Sequence, residues 1–372
     1  MVKPSVWVIV GTRPECIKQA PVYKSLVERD KFNVKLVGTG QHQELLNSAL
    51  DIYNLNLDFS FNSMISGQSL SELSLRVIKG FNDIVKKSEA PDCIIVQGDT
   101  TTACFTAISA FQHGIKVFHN EAGLRTNDNL NPFPEESNRK IITNLATLHF
   151  TPTKKSFDNL VSEGVDKKNI FTVGNSGIDS FFWALKQKCP IEIRNIITKS
   201  IDKKNIPCLI TAHRRESAGE GFESIFTGLK EFIGKNKDYK FFFPTHPNDL
   251  GRLSINKIFG ECENISIINP LDYISLVHLL NFSKLVLTDS GGIQEEAATL
   301  GCPTVVCRKK TERVEALELG IAKISGYNNK KVFESLKWAA SLNIDKRKWV
   351  NRPYGDGNTS EKICNILDQY FY

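Results

Sequence analysis

Short apolar runs rich in β-branched residues recur along the chain, each followed by a helix-length amphipathic stretch: VWVIV (6–10), NVKLVG (33–38), CIIV (93–96), IKVFH (115–119), LHFT (148–151) and IFTVG (170–174). Strands that read as nearly continuous apolar runs need cover on both faces, and strands separated by helix-length segments do not pair as hairpins. The rhythm predicts a parallel sheet clothed by helices on both sides. A second series follows residue 190, with PCLITA (207–212), YKFFFP (239–244), ISIIN (265–269), KLVLTD (284–289) and PTVVC (303–307). Two α/β halves are expected. The break should fall between about 174 and 190, where GNSGID leads into a helix ending near Cys189 and Pro190. A length of 372 residues gives each half enough chain to bury its own core.

Composition removes several alternatives. With 41% hydrophobic and 24% charged residues, the chain is neither disordered, collagen-like nor a coiled coil. Its 47 basic against 41 acidic residues give a net charge of +6, too mild and too dispersed for wrapping nucleic acid but compatible with an anionic small ligand. The nine cysteines contain no CxxC pair, so they read as small buried hydrophobes in a reducing compartment rather than as disulfides or zinc ligands. The apolar run near the N-terminus is too short for a secretory signal, and no window approaches 18 uninterrupted apolar residues. These features lead to the expectation of a soluble cytoplasmic protein without a membrane partner.

In sheets of this kind ligands bind beyond the carboxyl ends of strands, where helix N-termini favour anions. After the first strand comes Gly11-Thr12-Arg13-Pro14-Glu15-Cys16-Ile17-Lys18, a turn and helix start carrying two cations, Arg13 and Lys18, for a phosphate or carboxylate guest. An ordinary turn with surface cations would look the same. After CIIV comes Gln97-Gly98-Asp99-Thr100, where Asp99 is either an active-site acid or a helix cap. The third strand end supplies Glu121 and, beyond Asn131-Pro132-Phe133-Pro134, Glu135 and Glu136. Asp99, Glu121 and Glu135 could converge on one substrate, and mutual repulsion should then raise at least one of their pKa values toward neutrality, as general acid–base work requires. Glu136 reads instead as a helix-start carboxylate meeting the dipole.

In the second half, Thr211-Ala212-His213-Arg214-Arg215 and Thr288-Asp289-Ser290-Gly291-Gly292 each follow a strand. Ser-Gly-Gly opening a helix makes a backbone cradle for phosphate, Glu296 lies one turn in for the hydroxyls of a ribose, and Arg313 adds a cation. Glycines also simply end strands, and His213 or His246 alone would be satisfied polar residues.

The ordered motifs GTRPEcIK, QGDTTT, EAGLRT, PFPEEsNR, TaHRRES, TDSGGIQEEA, TER and NRPYGDGNTSEKI closely resemble those of the bacterial non-hydrolysing UDP-N-acetylglucosamine 2-epimerases along nearly the whole chain. The resemblance implies a GT-B fold, two Rossmann-like domains with the active site in the cleft between them. Residues 1–175 would form the first domain, completed by a C-terminal helix at 358–372, and 176–357 the UDP-binding domain. It also implies a homodimer that supplies UDP-N-acetylmannosamine for surface polysaccharides. The family makes Asp99, Glu121 and Glu135 the catalytic carboxylates, sets His213 against the leaving UDP with Arg13 and Lys18 assisting, and assigns UDP to Ser290, Gly291, Gly292, Glu296 and Arg313.

The C2 hydrogen of the sugar is not acidic, so the family route eliminates UDP to a bound 2-acetamidoglucal and then adds it back. That route needs no nicotinamide cofactor, GxGxxG is absent from the sequence, and no metal is called for. Departures from some relatives occur at Leu271 and Leu276 near the uracil segment, at Glu44 and Gly67 where a regulatory UDP-sugar would bind, and at Asn120 beside Glu121. The alternatives are an epimerase of a modified UDP-N-acetyl sugar, a hydrolysing epimerase releasing N-acetylmannosamine and UDP, a GT-B glycosyltransferase, and a silent UDP-sugar sensor.

Overall fold

The apolar runs fold as strands of two parallel sheets. A computed structural model describes residues 2–41, 43–65, 67–212, 220–245, 250–260 and 262–372, apart from the side chains of 43, 220, 250, 251 and 254. The chain divides into two units, Met1–Phe182 with Tyr354–Tyr372, and Trp183–Pro353. The first break therefore lies inside the helix Ser176–Lys186, and the chain returns to the first unit at Tyr354.

The first unit holds β1 (Ser5–Val10), β2 (Asn33–Gly38), β3 (Phe59–Ser60), β4 (Cys93–Gln97), β5 (Lys116–Asn120), β6 (Leu148–Thr151) and β7 (Ile170–Thr172), in the order β3-β2-β1-β4-β5-β6-β7. The strand pleat sends alternate side chains to opposite faces. Val6, Val8 and Val10 pack with Val22 and Leu26 of the helix Arg13–Arg29, while Trp7 and Ile9 pack with Phe81, Ala103 and Ala107 on the other side. The helix Thr359–Phe371 adds Ile363, Cys364 and Leu367 to the first of these cores, and Asp368 pairs with Arg29 at 2.7 Å.

The second unit holds β8 (Ile206–Thr211), β9 (Tyr239–Pro244), β10 (Ile265–Ile268), β11 (Leu285–Thr288), β12 (Thr304–Val306) and β13 (Ala322–Ile324), in the order β10-β9-β8-β11-β12-β13. Phe222, Phe226, Phe232, Phe241 and Phe243 dominate its core. β3 and β13, which sequence reading did not find, are short strands at the outer edges of their sheets. Too few residues alternate there to make a pattern.

Each sheet reverses its winding once, between β1 and β4 and between β8 and β11. Connections leave such a switch point in opposite directions and open a crevice at the strands' carboxyl ends. The loops after β1, β4 and β11 are those singled out in the sequence.

Candidate active site

The loop after β1 is shaped by contact as much as by dihedral preference. A Cβ on Gly11 would lie 2.1 Å from Thr39 Oγ1 and 2.7 Å from Thr102 Oγ1, so no larger residue fits. Thr12 caps the helix Arg13–Arg29, its hydroxyl accepting from Glu15 N at 3.4 Å. Glu15 turns inward, accepts from Gly11 N at 2.9 Å and from Thr100 Oγ1 at 2.7 Å, and so ties the loops after β1 and β4 together. Burial pushes its carboxyl above the usual range, against the pull of the hydrogen bonds from Thr100, Thr12 and Gly11. Arg13 begins the helix half-buried, and Lys18 follows one turn later.

Lys18 reaches Glu121. Its Nζ lies 2.5 Å from Oε1, which also accepts from Asn175 Nδ2 at 2.7 Å, while Gln97 Nε2 donates to Oε2 at 2.7 Å. Glu121 directly follows β5 with φ +65°, a left-handed conformation that costs a residue other than glycine about 1–2 kcal/mol. The carboxylate is thereby turned toward the loop after β4, where a Cβ on Gly98 would stand 3.1 Å from Oε2. Next to it, Asp99 Oδ2 accepts from Arg139 Nε at 2.8 Å and lies 2.6 Å from Nη2, and its backbone oxygen accepts from Asn138 at 2.9 Å. Glu135 opens the helix Glu135–Leu145 that carries Asn138 and Arg139 and is half-buried. The fold thus brings together the loop of Asp99, the carboxylate of Glu121 and the helix of Glu135.

The mutual repulsion expected among these carboxylates is answered by cations: Lys18 faces Glu121, and Arg139 bridges Asp99 and Glu136. Glu136 does more than meet a helix dipole. Fully buried, it accepts from Thr126 N and Asn127 N, each at 3.0 Å, and braces the loop after Glu121. His119, in β5, bonds through Nε2 to Gly98 O at 2.7 Å, and burial pushes its ring down to about 3, so it is neutral. The neighbouring His149 is pushed down to about 4 by burial. Asn120 donates to Ser176 Oγ at 2.9 Å. It therefore faces the 175–177 turn.

In the second unit Thr288 Oγ1 lies 2.6 Å from Thr211 Oγ1 and accepts from Ser290 N at 3.0 Å, fixing the turn into the helix Gly291–Leu300. A Cβ on Gly291 would come within 2.9 Å of Arg313 Cζ, so glycine here admits the guanidinium to the helix start. Arg313 donates to Glu295 Oε1 at 2.8 Å and to Glu312. Its charge is shared with two acids rather than held as an isolated cation. Gly292 is the second residue of the helix, and Glu296, one turn in and buried, accepts from Tyr273 OH at 2.8 Å. His213 and His246 lie outside the described residues.

Sequence reasoning did not assign Glu15, Gln97, Arg139 or Asn175 to the site. Glu15 had a signal, an acid at the third helical position after a threonine cap. Gln97 and Asn175 had none, because an amide in a loop or at a strand end has no distinguishing pattern.

Residues 24–368 match the family described as UDP-N-acetylglucosamine 2-epimerase. A protein of that name from Campylobacter jejuni is 40% identical over 378 residues, covering 99% of this chain and 98% of the relative. The crystal structure of UDP-GlcNAc 2-epimerase from Neisseria meningitidis bound to UDP-GlcNAc is similar with a TM-score of 0.90 and 35% identity, over 98% of this chain and 100% of that one. An S. aureus MnaA–UDP structure gives 0.90 and 36%, over 99% and 96%. The fold class is that of the GT-B enzymes, two Rossmann-like units on parallel sheets. The chain belongs to the UDP-N-acetylglucosamine 2-epimerase family.

Proposed function

We propose that this protein interconverts UDP-N-acetylglucosamine and UDP-N-acetylmannosamine without releasing the free sugar. The C1–O bond to UDP breaks and the C2 proton passes to a carboxylate, leaving a C1=C2 double bond in a bound 2-acetamidoglucal. Return of UDP to C1, with a proton delivered to the opposite face of C2, gives the epimer. Asp99, Glu121 and Glu135 are proposed to carry these proton transfers. Arg13 and Lys18 would assist, and His213, on the family resemblance, would meet the departing phosphate.

The observation that carries this reading is the joining of the loops after β4 and β5. Glu121 is aimed at the Gly98 turn, Asp99 follows that turn, and each carboxylate pairs with a cation, Lys18 with Glu121 and Arg139, which also holds Glu136, with Asp99. Acid–base groups held this close can serve both faces of one sugar carbon. UDP is proposed to bind Ser290, Gly291 and Gly292, with Arg313 beside the phosphates and a Glu296 oriented by Tyr273 accepting from the ribose. A homodimer in the cytoplasm feeding surface polysaccharide synthesis completes the reading, on the family resemblance.

Product analysis tests it. Incubation with UDP-N-acetylglucosamine should yield UDP-N-acetylmannosamine with total UDP-sugar conserved. Stoichiometric release of UDP with free N-acetylmannosamine would overturn the non-hydrolysing assignment.

A further inference from the structure

Asn175 lies between two fixed supports and the Glu121 carboxylate. Its Oδ1 accepts from Gly177 N at 2.9 Å, which determines which end of the amide faces outward, and its Nδ2 donates to Glu121 Oε1 at 2.7 Å. Its backbone N–H donates to Tyr354 O at 2.7 Å, and Asn120 Nδ2 donates to the hydroxyl of the next residue, Ser176, at 2.9 Å. The helix following this turn carries Asp179, which accepts from Thr359 N at 3.1 Å and from Ser360 N at 2.7 Å at the start of the last helix. The turn is therefore clamped by β5 on one side and by the returning C-terminal segment on the other.

We propose that Asn175 is a positioning residue for the epimerisation, a donor of fixed orientation that holds Glu121 as an aligned carboxylate ready to accept the C2 proton. An amide N–H can be satisfied only by an unprotonated oxygen at that point, so the contact favours the charged form of Glu121 and resists its rotation. Gln97 does the same for Oε2. Among the described residues, the charged and titratable groups brought toward Glu121 include Lys18 from the first helix, His119 on its own strand, and Asp99 on the Gly98 turn. His119 is neutral above about pH 3, and Asp99 is engaged by Arg139. This inference rests on the reading of Glu121 as a proton-transfer group and adds the residue that makes it one. It also gives the C-terminal segment a role in the chemistry, through Tyr354.

The test is the pH dependence of kcat/KM for wild type, Asn175→Ala and Asn175→Asp, with Glu121→Gln as reference. Asn175→Asp keeps an acceptor for Gly177 N, so the turn can still form if the alanine variant does not fold, but sets a carboxylate against Glu121. Expected are a fall in kcat of about 10-fold or more with KM changed little, and an acidic limb displaced to higher pH by about one unit in Asn175→Ala and further in Asn175→Asp. Inactive wild type, or an active Glu121→Gln, would overturn the reading of the site itself. Active wild type and inactive Glu121→Gln, together with an acidic limb unmoved in the folded Asn175 variants, would overturn only the role of Asn175.

Discussion

Arg139 sets both Nε, at 2.8 Å, and Nη2, at 2.6 Å, on a single oxygen of Asp99, while its Nη1 donates to Glu136 at 2.7 Å. One guanidinium thus links a partly exposed acid in the candidate site to a fully buried acid bracing the adjoining loop. Arg139→Met would leave Glu136 buried without its cation, and should destabilise the fold by about 3–5 kcal/mol as well as abolish activity. Denaturation of that variant should show the loss, and an unchanged melting temperature would refute the bracing role.

Asp99→Asn, Glu121→Gln and Glu135→Gln should behave differently from Arg139→Met, because each keeps the size and shape of its side chain and one acceptor oxygen, even though in Glu121→Gln the new amide NH2 replaces an oxygen that accepts from Gln97 or from Lys18 and Asn175. Folding should be nearly intact while turnover falls about 100-fold or more, the scale of positioned acid–base groups. Steady-state kinetics on the three variants checks this. Near-normal turnover in any two would remove the carboxylate group as the reaction centre.

Much of this was legible in the sequence, for stated reasons. The eleven apolar runs quoted all became strands, Ile170–Thr172 and Ile265–Ile268 at sheet edges among them, while the edge strands Phe59–Ser60 and Ala322–Ile324, whose residues FS and AKI hold no apolar run, left no trace. Ordered motifs pointed to the loops of Asp99, Glu121 and Ser290 because functional loops follow strands in parallel sheets. Pairing was not legible. Which cation answers which acid depends on how loops distant in sequence meet, and the contact of Lys18 with Glu121 spans 103 positions. The buried polar contacts of Glu15 and Asn175 belong to the same class.

Glu296→Ala should weaken UDP binding by roughly 1.5–3 kcal/mol through lost charge-assisted hydrogen bonds. Tyr273→Phe removes a hydrogen bond to Glu296 while leaving the carboxylate in place and should cost less, about 0.5–1.5 kcal/mol. Titration calorimetry with UDP distinguishes the two. Equal affinity of both variants and wild type would withdraw Glu296 from the nucleotide site.

His119 and His149 make stability depend on pH in a defined direction. Burial holds them at about 3 and about 4, below the ordinary 6.5, so on acidification the unfolded chain takes up these protons first. Their contribution is complete above about pH 6.5 and is lost as pH falls toward 4 and then 3, at about 1.4 kcal/mol per pH unit for each ring. Glu15 and Asp179 are raised by burial and act oppositely, the folded state binding their protons more readily. Because the two pairs oppose each other, the comparison carries the test: from pH 6.5 to 5 the stability of His149→Asn, read from urea unfolding, should fall less steeply than that of wild type, by about 1.4 kcal/mol per pH unit. Identical profiles for wild type and His149→Asn over that window would contradict the neutral assignment of His149.

The most direct measurement is hydrogen exchange at the sugar carbon. With UDP-N-acetylglucosamine in deuterated water, wild type should place deuterium at C2 of both epimers as they equilibrate, followed by proton NMR, and Glu121→Gln should slow its entry at least as much as it slows turnover. Epimerisation with the C2 hydrogen fully retained, or no exchange at all with bound UDP-sugar, would contradict proton transfer at C2 by this carboxylate group.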